Sequence, residues 1–173
     1  MEIFEALISR RSIRQFTAEP VRRQLSDKLL QAAMQAPSAH NSQSWQFVVI
    51  DDHDILVRIA RFHPYASMLN HAPLAITVCG DRHIEKSVEY LALNCAAATQ
   101  NILLAAHGLD LGAVWLGIYP RPERMKKLAE LLALPESIVP VSLTAIGHPA
   151  EKKPAENRYN KNRIHTNAWQ GVL

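Results

Sequence analysis

The sequence predicts one mixed domain of helices and strands that is not a doubly wound nucleotide-binding sheet, and three observations carry that reading. Two helical patterns precede the first strand pattern, so the chain does not start as a βαβ unit. The strand-like runs that follow are separated by helical patterns, and each closes on Asp, Gly or Pro. The chain holds only 6 glycines in 173 residues and no GxGxxG turn, which removes a glycine-rich phosphate loop.

Taken in order, Ile3, Phe4, Leu7 and Ile8 form a short helical face ending near Ser9 and Arg10. Leu25, Leu29, Leu30, Ala33 and Met34 recur at helical spacing after Pro20 and before Pro37, which predicts a helix over Val21–Ala36. Trp45–Ile50 is a β-branched and aromatic run closed by Asp51 and Asp52, and Leu74–Cys79 is an apolar run closed by Gly80 and Asp81. Between these strands, Ile55–Phe62 has helical spacing, and Pro64 and Pro73 bracket an irregular segment or short helix. Ser87–His107 reads as a helix that is apolar around most of its circumference and so must be buried on several sides. Asp110–Tyr119 and Val139–Ile146 read as strands, with an amphipathic helix over Glu123–Ala133 between them. Ala150–Leu173 loses periodicity and has no core of its own, so it is expected to pack against something else.

Chain size and composition fit this picture. With 48% apolar and 20% charged residues, 173 residues suffice for one domain with a substantial core. The only cysteines, Cys79 and Cys95, form no CxxC pair and lie in apolar runs, which points to a reduced, cytoplasmic protein. Met1–Glu5 carries no basic and apolar leader pattern, and no apolar stretch is long enough for a bilayer, so neither secretion nor membrane insertion is expected. The formal charge of +3 is modest, and its placement is more informative than its size.

Two segments carry the chemistry. Arg10, Arg11, Ser12 and Arg14 fall within five residues at a helix end. A guanidinium presents a planar fork of donors suited to phosphate oxygens, and a solvated helix C-terminus would also favour arginine. Ile13 and Phe16 would bury one side of the segment and fix the direction of the arginines. The second segment, Pro37–Phe47, gathers Ser38, His40, Asn41, Ser42, Gln43 and Ser44 before a strand. Such a loop supplies donors and acceptors for the edge of a heteroaromatic ring, while its residues are also ordinary turn formers.

Four stretches resemble, in order and spacing, the FMN-dependent nitroreductase family: Arg10–Arg14, Pro37–Trp45, Trp115–Pro120 and Ile146–Pro149. The resemblance covers nearly the whole chain. It implies an α+β fold, with a mostly antiparallel central sheet flanked by helices, in an intertwined homodimer. The apolar helix Ser87–His107 would then be an interface helix, and residues 150–173 an arm laid on the partner subunit. By position, Arg10, Arg11, Ser12 and Arg14 resemble the ligands of the FMN phosphate and ribityl chain, and Arg158 the late basic residue that completes them. Pro37, Ser38, Asn41 and Gln43 resemble the segment that meets the isoalloxazine from the neighbouring subunit. Trp115, Leu116 and Gly117 resemble the loop whose backbone N–H groups approach flavin N5. Asp110, where a second glycine is expected, and Asn94, where the family often has an acid, depart from the pattern.

The resemblance implies an NAD(P)H-dependent enzyme that passes a hydride through flavin N5 to a small acceptor such as a nitroaromatic or quinone, with no acid or base residue required. A flavin enzyme of the same fold with another substrate or oxidant, dehalogenating or oxygen-using, remains open. A small basic nucleic-acid-binding module is the alternative from another class, but no aromatics interleave its arginines. The 8 histidines include no HxxxH on a helix and no ligand spacing with Cys or carboxylates, so no metal site is expected. Ser12 and Ser38 lack the strand–turn–helix elbow of a hydrolase nucleophile.

Overall fold

The structure is a computed structural model that describes residues 1–169; residues 170–173, the end of the expected arm, lie outside the described residues. Helices α1 (Ile3–Ser9) and α2 (Arg23–Met34) come first, followed by strand β1 (Trp45–Ile50), helix α3 (His53–Phe62) and strand β2 (Leu74–Asp81). The long helix α4 (Val88–Gly108), strand β3 (Gly112–Gly117), helix α5 (Pro122–Leu131) and strand β4 (Ile138–Gly147) complete the domain. The four-stranded sheet has the order β1-β2-β4-β3, and every neighbouring pair is antiparallel. The α+β architecture therefore stands as expected, and β1 spans the residues that its pattern marked.

Boundaries elsewhere move by a few residues, each for a local reason. Asp52 starts α3 two residues early because its carboxylate accepts from the N–H groups of Asp54 at 2.8 Å and Ile55 at 3.3 Å. Ser87 caps α4 in the same way, accepting from Tyr90 N–H at 3.2 Å. β3 is shorter than the Asp110–Tyr119 run, since Asp110 sits in the left-handed region at φ 58° and spends its geometry on leaving α4. That is the position where a second glycine was expected, and a short polar side chain tolerates it best among the others. α5 ends at Leu131 rather than Ala133, because Ala133 is itself left-handed at φ 50°.

Apolar residues cover both faces of the sheet. One core sets Leu29 and Ala33 of α2 and Leu91, Cys95, Ala98 and Ile102 of α4 against Leu74, Ile76 and Val78 of β2. The other sets Leu56 and Ile59 of α3 and Leu128 of α5 against Val114, Leu116, Leu143 and Ala145. A bulge joins the two on β4: Val78 pairs with Ser142 and Cys79 with Pro140, leaving Val141 unpaired. The extra residue reverses the alternation, so Val141 and Ile146 both reach the α4 side despite their odd spacing. Both thiols are buried and free. Burial pushes Cys79 up to about 11 and Cys95 to about 12, so both stay protonated.

α4 is less enclosed than its composition suggests. It packs on α2 and on the sheet, but Tyr90 is 49% and Leu93 64% exposed, and Ala97 and Leu104 continue that line half-buried. α1 buries only Ala6 and exposes Ile3, Phe4, Leu7 and Ile8. Its last residue is pinned to α4: the Ser9 hydroxyl donates to Glu5 O at 2.7 Å, so the His107 Nε2–H, 2.8 Å away, donates to Ser9 Oγ. Beyond Lys153 the described tail is exposed, as a segment without its own core should be.

Candidate functional site

The arginine segment is laid along the β3 and β4 ends of the sheet. Ile13 N–H donates to Ala113 O at 3.0 Å, Thr17 N–H to His148 O at 2.9 Å, and Ala150 N–H to Gln15 O at 2.9 Å. Ile13 and Phe16 face inward over Gly112 and Gly147, which lie opposite one another in the β3–β4 register. A Cβ on Gly112 would come within 2.7 Å of Ile13 Cγ2, and one on Gly147 within 3.0 Å of Phe16 Cδ1. Two facing glycines thus make the groove into which the segment's apolar side drops, and the arginines are left pointing out.

The outward groups divide into two places. Arg10, Arg11 and Arg158 come together at the end of α1, where Leu7, Ile8 and Asn157 help to line a cavity of about 510 Å³. Arg10 is half-buried, and its pKa is lowered first by that burial and then by the charges of Arg158 and Arg11. Among the described residues, Glu156 is the carboxylate that pairs with this crowd: it lies 3.0 Å from Arg158 and 3.4 Å from Arg11. Arg11 also donates to Pro154 O, so it ties the tail down as well as adding charge. The cluster holds three cations against one carboxylate, which is an environment short of an anion.

Arg14 lies apart from them, lining a cavity of about 470 Å³ with His63, Tyr65, Trp115, Leu116 and Gly117. Ser12 stands between the two places and bridges to Ala113; its carbonyl accepts from Lys153 Nζ at 2.9 Å. Glu151 braces this stretch, accepting from Arg14 N–H at 2.6 Å and Gln15 N–H at 3.2 Å while pairing with Lys153 at 3.2 Å. These bonds, the Arg14 N–H foremost, hold the Glu151 carboxyl below the usual range. Glu151 and Lys153 carried no signal in the sequence beyond tail charges.

β3 is an edge strand, and its free side faces this second cavity. Because Ala113 O accepts from Ile13, the alternation of an antiparallel strand turns the N–H and C=O groups of Trp115 and Gly117 to the same edge. Gly117 has open space where a side chain would stand, with nothing within 4 Å of an added Cβ. Its carbonyl accepts two bonds that sequence reasoning missed: Arg124 Nη1 donates at 2.9 Å, and His63 Nε2 lies at 3.1 Å. Tyr65 N–H donates to His63 Nδ1 at 3.3 Å, so the imidazole proton sits on Nε2. Burial lowers the His63 pKa, the bond to the Gly117 carbonyl opposes this, and the Arg124 charge adds to the lowering. Arg124 also lies over the Tyr65 ring, 5.6 Å from its centroid.

Pro37, Ser38, Asn41 and Gln43 sit elsewhere. Phe47, Val78, Ser142 and Gly117 share one row across the sheet, so the loop before β1 is at the same end as the close of β3 but on the opposite edge. Three strand spacings separate the edges, about 14 Å. The loop is strained and fully braced. His40, Asn41 and Gln43 are all left-handed, with φ of 55°, 53° and 49°. Ser38 Oγ accepts from Gln43 N–H at 3.0 Å, and Asn41 Oδ1 from Gln43 Nε2 at 3.0 Å. Asn94 on α4 accepts from Ala39 N–H at 2.9 Å and donates to Ser42 and Ser44 Oγ at 3.1 and 3.2 Å. Such strain persists only where surroundings over-determine it, and it clusters at sites that bind. Among the described residues no group of three His, Cys, Asp or Glu side chains could hold a metal ion, and no helix is long and apolar enough to cross a membrane.

Comparison with known proteins adds the family. The sequence model described as "Nitroreductase family" matches residues 7–63 and 60–148. A protein of Archaeoglobus fulgidus, provisionally named an NADH dehydrogenase/NAD(P)H nitroreductase, is 42% identical over 97% of this chain and 99% of its own. A crystal structure from Parabacteroides distasonis with the same provisional name superposes with a TM-score of 0.93 at 38% identity, covering 96% of this chain and 98% of that one. A provisionally named nitroreductase from Desulfovibrio desulfuricans, solved in complex with FMN, superposes with a TM-score of 0.83 at 34% identity over 95% of each chain. The fold, the length and the sequence agree: this chain belongs to the nitroreductase family.

Proposed function

We propose that the protein is an FMN-dependent oxidoreductase that takes a hydride from NAD(P)H and reduces a small acceptor such as a nitroaromatic or quinone. One observation carries the reading: a single stretch, Arg10–Arg14, joins an anion-poor cluster of guanidinium groups to an open strand edge beside a glycine with no side-chain neighbour. A flavin mononucleotide has that shape of demand, a dianionic phosphate at one end and a flat ring with hydrogen-bonding edges at the other. When bound, FMN supplies the two-electron chemistry. Arg10, Arg11, Ser12, Arg14 and Arg158 would bind its phosphate and chain, and Trp115, Leu116 and Gly117 would offer backbone groups to the ring. The FMN complex of the Desulfovibrio relative supports this choice of cofactor.

The same reading makes the protein a homodimer in which each domain spans residues 1–173 and residues 150–173 reach the partner as an arm. Pro37, Ser38, Asn41 and Gln43 would then complete the site of the other subunit, a reading supported by their place at the sheet edge opposite β3, about 14 Å away. The exposed line through Leu93 and the apolar side of α1 are the surfaces that such a dimer would cover. Two free, buried thiols suit the cytoplasm.

The test is to reconstitute the purified protein with FMN, FAD and riboflavin and to follow absorbance and fluorescence. A yellow complex with FMN bound well above riboflavin supports the assignment. Tight binding of FAD alone, or no flavin binding, overturns it.

A further inference from the structure

Gly117 combines an open face with the greatest backbone freedom of any residue, at the place where the peptide edge must hold still. No side chain of its own anchors it, and on its edge side β3 has no neighbouring strand beyond the Ser12 bridge at Ala113. What fixes it is its carbonyl, which takes the Nε2–H of His63 and the guanidinium of Arg124 at once. Both donors are themselves locked. His63 is 2% exposed, and its Nδ1 is occupied by Tyr65 N–H; Arg124 is half-buried and lies over the Tyr65 ring. In a strand, the N–H and C=O of one residue point to the same side, so holding this carbonyl also sets the direction of the Gly117 N–H.

We propose that His63 and Arg124 are positioning residues: by clamping the Gly117 carbonyl they pre-organise the edge of β3 that receives the flavin ring. The inference rests on the flavin reading above. It assigns a role to two side chains that meet at the Gly117 carbonyl and belong to neither of the sequence segments assigned to the phosphate and the ring. A hydrophobic residue would fill the space of His63 equally well but would leave the glycine free to turn. Each lost donor then lets the ring-facing N–H wander, and the ordering cost falls on binding.

The experiment compares His63→Leu, His63→Gln and Arg124→Met in the full-length protein. Leu fills the site without a donor, Gln restores an N–H near the place of Nε2, and Met removes the second donor. His63→Leu and Arg124→Met should each weaken FMN and riboflavin alike by about tenfold, because the loss is on the ring side. Both should also lower the midpoint potential of the bound flavin, and His63→Gln should restore affinity and potential toward wild type. A variant that loses thermal stability while keeping wild-type affinity and potential makes the clamp merely structural and overturns the inference, as does failure of Gln to behave differently from Leu. A fall confined to FMN, with riboflavin unchanged, also overturns it, since that is the signature of the phosphate end. If wild type binds no flavin at all, the flavin reading itself fails and the inference falls with it.

Discussion

At the scale of single residues, what separates the two ends of the site is charge. Arg10 stands half-buried beside two further guanidinium groups, an arrangement that costs stability until an anion arrives. Arg10→Ala should therefore weaken FMN by about 2 kcal/mol, roughly thirtyfold, through loss of a charge-assisted bond. Riboflavin, without the phosphate, should bind this variant as it binds wild type, which titration of flavin fluorescence would show; equal losses for the two flavins would make Arg10 structural. Arginines at such density were legible in the sequence because residue type alone announces them. His63 and Arg124 were not. They act 54 and 7 residues away from Gly117 through a backbone carbonyl, and a carbonyl carries no residue identity for a motif to display. Asn94 was visible only as a departure from pattern, and its three bonds to the Ala39–Ser44 loop give that departure a structural use.

At the scale of elements, periodicity located the five α-helices and four strands of the described residues, and capping and bulging decided where several of them ended. The β1 pattern was sufficient because Asp52 punctuates it on the far side, whereas β3 was overlong in the sequence because the left-handed turn at Asp110 showed itself only as an acid where a glycine was expected. The bulge at Val141 left a single trace, Pro140 beside it, a residue that strands admit mainly at edges and bulges. The tail showed only its lack of a core. Its attachment depends on Glu151 and Glu156, whose pKa values are both depressed, by the Arg14 N–H and by Arg158 respectively. A carboxylate depressed in the folded state stabilises fully above its ordinary value, 4.5, and loses that contribution as pH falls through the lower folded value. Hydrogen exchange at the Arg14 and Gln15 amides, corrected for the intrinsic rate, should accelerate below about pH 4.5. Glu151→Gln should abolish that pH dependence, and an unchanged profile in the variant would remove Glu151 from the account.

At the scale of the whole molecule, the sheet's four-strand width sets the loop before β1 and the arginine segment at opposite edges. In the proposed dimer each chain would then supply half of two sites. Combining Arg10→Ala and Arg14→Ala in one chain with Asn41→Ala and Gln43→Ala in the other should give mixed dimers with one intact and one doubly damaged site. Flavin content near one per mixed dimer, with weak binding to either parent homodimer, is the expected result of sedimentation and absorbance on the purified mixture. Two equally weak sites, or a monomer loaded with flavin, would place the entire site within one chain.

The open side of β3 has a further consequence, which concerns solubility. A strand with unpaired amides is a template for any other extended chain, and proteins ordinarily blunt such rims with charge, proline or a covering element. From Trp115 to Gly117 the rim carries an exposed indole and a bare glycine instead. A ring seated there acts as a stopper as well as a reagent. Protein stripped of flavin should therefore form light-scattering aggregates on mild heating sooner than the loaded form. Riboflavin, which caps the rim without satisfying the arginines, should delay that onset although inorganic phosphate does not; protection by phosphate alone would trace the aggregation to charge repulsion at the other end.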